Sequence, residues 1–215
     1  MIDNAGSADA LQRGLSKLCD WCTLWQMTVN VNKCFVLHMG RSYDSPLYVI
    51  NNVALRVTDV ANDLGVQVDS KLRFLHHYEN VVAKAHQRAS LILRCFECRD
   101  PNVLLRAFNT YVRPILEYCS PVWAPVYKTD IKRFESVQRR FTKKLDGLNH
   151  MSYEHRLKTL CAESLDLRRL KLDLTMMYKI SCSIVAIDDS FFSYTIDSQT
   201  SVQTILGHSL FHADV

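Results

Sequence analysis

The chain has 215 residues, 48% of them apolar and 22% charged, with only 6 Gly and 5 Pro. That is enough for one large domain or two small ones, and it excludes a disordered segment or an assembly of long loops. No apolar run approaches the roughly 18 residues of a membrane-spanning helix. The net charge of +4 is unevenly spread: Lys84 to Lys144 holds 13 Lys and Arg against 5 Asp and Glu, whereas from Ile180 onward there are four Asp and no Lys or Arg. A basic middle and an acidic end predict a polyanion-facing segment followed by something else. The first residues, Met1-Ile-Asp-Asn-Ala-Gly-Ser7, carry neither the basic nor the apolar region of a signal peptide, so the expectation is an intracellular protein whose eight cysteines are free thiols.

Taken in order, Asp9 is a plausible N-cap for a helix in which Leu11, Leu15, Leu18, Cys22 and Trp25 form one face, with Trp21 beside it. Thr28-Val29-Asn30 favours turn or extended backbone, which places the helix end near Met27. Cys34 to Met39 reads as a short strand closed by Gly40, and Arg41 to Pro46 as a polar loop. Leu47 to Ile50 and Val53 to Val57 flank Asn51-Asn52, a hairpin pattern, because Asn tolerates the positive φ of a two-residue turn. Asp63 to Val68 reads as another strand, with Gly65 where backbone passes close or bulges.

After Leu72 the period changes to helical. His77 to Phe96 is one amphipathic helix. A second begins at Asp100-Pro101 and meets Pro114, which bends or breaks it. Ser120 to Pro125 reads as a rigid connector. Thr129 or Asp130 caps a helix over Ile131 to Leu145, stopped by Gly147. Ser152 opens a short helix, and Leu165 to Ser181 forms the last. The fold class predicted is α+β: a small antiparallel sheet with one helix over residues 1–72, a helical bundle over 73–183, and a weakly patterned acidic tail over 184–215.

Several residue groups invite chemistry. Cys19/Cys22 and Cys95/Cys98 have zinc-ligand spacing, but on helices two thiols three apart more often belong to a core. His76 and His77 could act as a metal or acid–base pair, against the blander reading of two solvated loop histidines. Asp188-Asp189 precede Phe191 and Phe192 in the tail, where a loop role outweighs a two-metal site. Gln138-Arg-Arg-Phe-Thr-Lys-Lys144 packs Arg139, Arg140, Lys143 and Lys144 into two turns. It is either a solvated face or a site that neutralises phosphates, and Arg88, Arg94, Arg106 and Arg113 nearby favour the second. Lys33, between a helix and a strand, reads as a placed charge.

An ordered series of landmarks spans residues 9–183. It begins with Leu11-Gln12, Leu15, Leu18, Trp21 and Trp25, then Met27, Asn30, Lys33 and Cys34, then Asp63-Leu-Gly-Val66. It continues through Lys84-Ala85, Tyr111-Val-Arg-Pro114, Leu116-Glu-Tyr-Cys-Ser120, Val122-Trp123 and Val137-Gln-Arg-Arg-Phe-Thr-Lys143 to Leu145 and Gly147-Leu148. It closes on Tyr153, Arg156-Leu157, Ser164-Leu165, Arg168-Arg169 and Tyr178-Lys179. The series resembles the C-terminal part of the reverse transcriptase of non-LTR retrotransposons, of the jockey or LINE-like kind.

The resemblance implies roles. Asn30 and Lys33 look like the polymerase motif whose lysine lies near the triphosphate of the incoming nucleotide, offsetting charge on the leaving pyrophosphate or delivering a proton, with Asn30 as support. Asp63, Leu64, Gly65 and Val66 look like the primer grip. The helices from about residue 73 look like the thumb, which holds a template–primer duplex of RNA and DNA by its backbone, a task for basic residues without base readout. The full-length family enzyme would use Mg2+ on palm aspartates. Those aspartates precede the first helix in the family; no aromatic-x-Asp-Asp strand occurs in this chain, and the fingers are missing. The tail reads Leu206-Gly-His208 where relatives often carry Arg-Gly-His. The expectation is therefore a polymerase fragment, inactive alone, that binds no metal itself. The alternatives are a non-catalytic nucleic-acid-binding module and the inert product of a degenerate mobile element.

Overall fold

A computed structural model describes residues 5–39 and 46–185; the acidic tail beyond Val185, with Asp188-Asp189 and Leu206-Gly-His208, lies outside them. The chain divides into two compact units, one ending at His77 and the other beginning at Tyr78.

The first unit opens with α1 (Ala5–Leu24), so Asp9 lies inside the helix rather than at its cap. A 3₁₀ turn, Val31–Lys33, leads to β1 (Phe35–Val36). β2 (Val49–Ile50) and β3 (Val53–Ala54) form the expected antiparallel hairpin. Asn51 and Asn52 take φ of 50° and 62° at its turn, the left-handed conformation that a tight hairpin needs. β4 (Arg56–Val57) then pairs with β1 in parallel. This corrects the expectation of a wholly antiparallel sheet: the described residues of the unit form three separate two-stranded sheets, one of them parallel. A parallel pair joins residues distant in sequence, which short-range patterning does not register. The third sheet is the hairpin β5 (Val60–Asp63) and β6 (Val66–Asp69). The single strand expected over Asp63 to Val68 is thus broken by a turn, with Leu64 at φ 45° and Gly65 at φ 89°.

Tyr48, Ile50 and Leu55 are the buried centre here, covered by half-buried Leu15, Cys19, Val29, Val31, Cys34 and Val36. The Gln12 side chain fastens α1 to β2: its amide donates to the Val49 carbonyl at 2.9 Å and its carbonyl accepts from the Val49 N–H at 2.9 Å. The inward face of α1 is therefore Gln12, Leu15 and Cys19. Leu11, Leu18, Trp21 and Trp25, expected on the buried face or beside it, are exposed, because a polar residue with two backbone partners sets the rotation of the helix. Cys19 packs as a small apolar residue against the cluster. His77 is buried and its Nδ1 accepts from the Gln67 N–H at 3.3 Å, so it is a structural residue and not a solvated one.

The second unit is helical. α2 (Leu75–Cys95) carries the unit boundary in its first turn. α3 (Pro101–Tyr111) starts as expected, with the Asp100 carboxylate accepting from the Asn102 N–H at 2.7 Å. Pro114 falls in the first turn of the separate helix α4 (Arg113–Glu117). The supposed rigid connector is instead a helical turn, α5 (Ser120–Trp123), entered through Cys119 at φ 52°; Pro121 suits a first helical turn. α6 (Lys128–Lys143) starts three residues before the expected position and has no side-chain cap. Asp130 is buried in its first turn, 3.5 Å from Arg133. Gly147 sits at φ 77° after it. α7 (Tyr153–Thr159) and α8 (Leu165–Ser181) begin at Ser152 and Ser164, whose hydroxyls accept from the N–H of His155 and Leu167. Aromatic rings fill the core: Trp123 stacks on Phe134 at 5.2 Å, Tyr78 meets Phe134 edge-on at 5.5 Å, and Phe108 lies 4.7 Å from Phe141. Arg168 of α8 grips Glu117 of α4 through Nε at 2.5 Å and Nη2 at 3.1 Å.

Candidate nucleic-acid interface

α6 is amphipathic in an unusually sharp way. Phe134, Val137 and Phe141 point inward and are all but fully buried, three and four residues apart, as one helix face requires. The opposite side carries Lys132, Arg133, Arg139, Arg140 and Lys143, all exposed, with Lys144 at the C-cap. Arg139 to Lys144 span about 7.5 Å of helix at ~1.5 Å per residue. Among the described residues, Arg139, Arg140, Lys143 and Lys144 make no ion pair with a carboxylate. Cations concentrated at a helix C-terminus also meet the negative end of its dipole, so the positions are electrostatically settled while the charges stay open to solvent.

The frame behind this face is polar and buried, and sequence patterning missed it. Glu135 lies on the inner side of α6 and is buried. Its carboxylate accepts the Tyr153 hydroxyl of α7. The same carboxylate takes the Leu165 and Asp166 N–H groups, each at 3.3 Å. It thus serves as the anion that the positive end of α8 would otherwise seek from outside. Burial, and then the hydrogen bond to Glu135, push the Tyr153 phenol far above its ordinary range. Gln138 donates to the Tyr153 oxygen at 3.2 Å and to the Glu163 carbonyl at 2.8 Å.

Arg156, also buried, donates to Thr142 Oγ1 at 3.2 Å, to the Met151 carbonyl at 2.7 Å and to the Arg139 carbonyl at 3.2 Å. Its own guanidinium and that of Arg139 lie over the Tyr153 ring at 5.5 and 4.9 Å. Arg139 is consequently held at both backbone and side chain. Arg140 has a different neighbour: burial, and then the Arg140 charge, lower the pKa of His86 on α2, whose Nε2 is 3.4 Å from Ser136 Oγ. The sequence signal for the buried frame was present but weak: Glu135 occupies an inward position in a helix otherwise read as basic.

Asn30, Lys33 and residues 63–66 lie in the first unit. Lys33 ends the 3₁₀ turn and is exposed. Its N–H donates to the Asn30 carbonyl at 3.0 Å, and that same carbonyl faces Cys34 Sγ at 3.4 Å. Asn30 is the N-cap of the turn by position only, with no side-chain capping bond. Asp63, Leu64, Gly65 and Val66 are the tip of the β5–β6 hairpin, with Leu64 85% exposed. The structure therefore gathers Arg139, Arg140, Lys143 and Lys144 on one helix, and sets Lys33 and the 63–66 turn on two separate elements. Among the described residues no group of three or more His, Cys, Asp or Glu is arranged to hold a metal ion. No helix among them is long and apolar enough to cross a membrane.

No protein-family model matches the chain, and no solved structure does. Three curated proteins are similar to parts of it. An uncharacterized protein of Caenorhabditis elegans is 30% identical over 112 residues, 51% of this chain and 57% of that protein. The probable RNA-directed DNA polymerase from transposon BS of Drosophila melanogaster is 29% identical over 142 residues, 62% of this chain. The RNA-directed DNA polymerase from mobile element jockey of Drosophila funebris is 25% identical over 145 residues, 66% of this chain. The chain spans only 16% of each of these two polymerases. Over the matched stretch it is similar to a region of two proteins named as RNA-directed DNA polymerases of mobile elements, one of them as probable.

Proposed function

We propose that this chain is the nucleic-acid-gripping part of a non-LTR retrotransposon reverse transcriptase: the end of the palm followed by the thumb. It holds a template–primer duplex by its phosphates and does not polymerise by itself. The observation that carries the reading is the open cationic face of α6. Arg139, Arg140, Lys143 and Lys144 stand together without carboxylate partners among the described residues, on a helix anchored by a buried aromatic row. The partial similarity to two mobile-element polymerases supplies the kind of polyanion. The aromatic residues of α6, Phe134 and Phe141, are buried, so this face offers charge for backbones and no ring for stacking unpaired bases.

In this reading Lys33, backed by Asn30, is the triphosphate-side edge of a nucleotide site, and its exposure leaves the ammonium free to meet phosphate. Asp63 to Val66 form the primer grip, where Gly65 lets backbone approach closely. The magnesium chemistry of the whole enzyme belongs to aspartates that this chain does not contain. Primer extension on a primed RNA template, with magnesium or manganese, tests the catalytic half of the proposal: no incorporation is expected, and template-dependent incorporation that follows the protein through purification would overturn it. A mobility shift with an RNA–DNA duplex tests the other half. The intact chain retards the duplex, and the variant Arg139→Gln, Arg140→Gln, Lys143→Gln, Lys144→Gln does not.

A further inference from the structure

Where α2 passes α6, a second cluster of polar and cationic side chains adjoins the open face of α6. His86 of α2 and Ser136 of α6 are both half-buried there, with His86 Nε2 3.4 Å from Ser136 Oγ. The serine hydroxyl donates to the Arg133 carbonyl at 2.6 Å. Its one hydrogen is therefore spent within α6, and toward His86 it offers only lone pairs. Nε2 must then carry the ring hydrogen, which leaves Nδ1 as the nitrogen that can take a second proton. No hydrogen bond to Nδ1 is formed among the described residues.

Arg140 follows Ser136 by four residues and so stands on the same side of α6, one turn on. Arg133 precedes Ser136 by three and lies on that side as well, but its guanidinium is 3.5 Å from the Asp130 carboxylate. Arg140 has no such partner among the described residues, and neither has His86. On α2 itself the side chains one turn from His86 are Val82, Ala83, Ala89 and Ser90, none of them charged. Lys84 and Arg88 fall on the opposite face of α2, and Glu79 is two turns away. The fold thus brings an unpaired guanidinium beside an imidazole with no carboxylate to balance it. Burial, and then the Arg140 charge, hold the His86 pKa below its ordinary 6.5. An anion seated between the two side chains reverses the second of these causes, because it favours the charged ring that Arg140 disfavours. Lys144 lies four residues beyond Arg140 on the same side, so the junction is continuous with a surface suited to a chain of phosphates rather than to one carboxylate.

We propose that His86 and Arg140 clasp a single backbone phosphate of the bound duplex across the junction of α2 and α6, and that seating it draws one proton from solvent onto His86 Nδ1. The inference rests on the duplex-binding reading of α6 and adds to it that the grip tightens as the pH falls. The step is proton uptake alone: neutral imidazole takes a proton from water, and the new N–H donates to a phosphate oxygen in a charge-assisted bond. The sign follows from linkage. At high pH the ring is neutral in both the free and the bound chain, and affinity does not vary. As the pH falls, the complex takes the proton first and affinity rises, by up to about tenfold per pH unit, until the free chain is protonated too.

The test measures the affinity of the full chain for an RNA–DNA duplex from about pH 8 to about pH 5.5 at fixed ionic strength, and follows the His86 ring by NMR with and without the duplex. Affinity is expected to strengthen roughly tenfold over that range, and the His86 pKa to rise on binding. His86→Gln keeps a hydrogen-bond donor toward Ser136 and is expected to lose the pH dependence. Arg140→Gln is expected to raise the His86 pKa of the free chain and to shrink the rise on binding. Native affinity that does not vary with pH, or a His86 pKa that the duplex leaves in place, would overturn the inference and leave duplex binding by α6 standing. A pH dependence undiminished in His86→Gln would overturn it too. A native chain that retards no duplex at any pH would remove the reading of α6 and this inference together.

Discussion

The helical unit closes its core on stacked rings, whereas the unit before it buries small patches, one of them centred on Tyr48, Ile50 and Leu55. Trp123, Phe134, Phe108 and Phe141 are each at most 1% exposed, and their rings pack in pairs, one stacked and one tilted. In the first unit the central residues Tyr48, Ile50 and Leu55 keep 5–7% exposure and are covered by side chains that are only half-buried. Of the six strands among its described residues, four are two residues long, and Trp21 and Trp25 stand in solvent 6.2 Å apart. Helices satisfy their own backbone groups, so a helical unit needs only side-chain packing to be stable. Strands of two residues leave most backbone groups to other partners. The contrast teaches that the cationic face of α6 rests on the self-sufficient unit, and that Lys33 and the 63–66 turn rest on the one with the thinner core.

The sharpest way to break that contrast is to remove one ring from each core. Phe134→Ala is expected to cost about 3–5 kcal/mol in urea titrations, as large buried aromatics do. Tyr48→Ala is expected to cost roughly 2 kcal/mol, because neighbours that are already half-solvated lose less contact when it goes. Equal losses would mean that the two cores are equally closed.

Next in size is the buried carboxylate. Glu135→Ala leaves the Tyr153 hydroxyl and the Leu165 and Asp166 N–H groups without their acceptor, at roughly 2–3 kcal/mol. The same site gives a pH signature. The Tyr153 pKa is raised on folding from its ordinary value of 10.0, so its contribution is complete below pH 10 and is lost as the pH climbs above it. Alkaline titrations of the native protein should therefore show a loss of stability beyond pH 10 that is smaller in Tyr153→Phe; identical alkaline limbs would remove Tyr153 from the account.

The smallest effect expected is in the first unit. Gln12→Ala removes two hydrogen bonds to Val49, about 1–2 kcal/mol, and should speed amide exchange at Val49 while leaving α6 protection as it was. A change that reached α6 would show that the two cores open together.

Much of the helical unit was legible because its signals are local. The helical period alone marked Leu165 to Ser181, and Asp100-Pro101 marked the start of α3. The Asn51-Asn52 turn was equally plain, since both residues tolerate the backbone it needs. What escaped was non-local or against type. β1 pairs in parallel with β4 across some twenty residues of chain. Leu64 takes a left-handed backbone that its side chain does not advertise. Gln12, a polar residue, sets the rotation of α1 and leaves its tryptophans outside. At the candidate interface the cations could be read from sequence, because a cluster of like charges needs only counting. Buried Glu135 and Arg156 and half-buried Tyr153, which frame them, were only faintly legible, because each is polar and becomes visible once its partners on other helices are in place.

The central claim is that α6 meets phosphates, and salt reports it most directly. The measurement is the affinity of the full chain for an RNA–DNA duplex across a salt series, alongside the variant with Arg139, Arg140, Lys143 and Lys144 changed to Gln. Four phosphate contacts predict that log K falls with log[salt] at a slope steeper by about 3 to 4 in the native chain than in the variant, at roughly 0.7–0.9 per contact. Equal slopes in the two proteins, or binding indifferent to salt, would contradict the account.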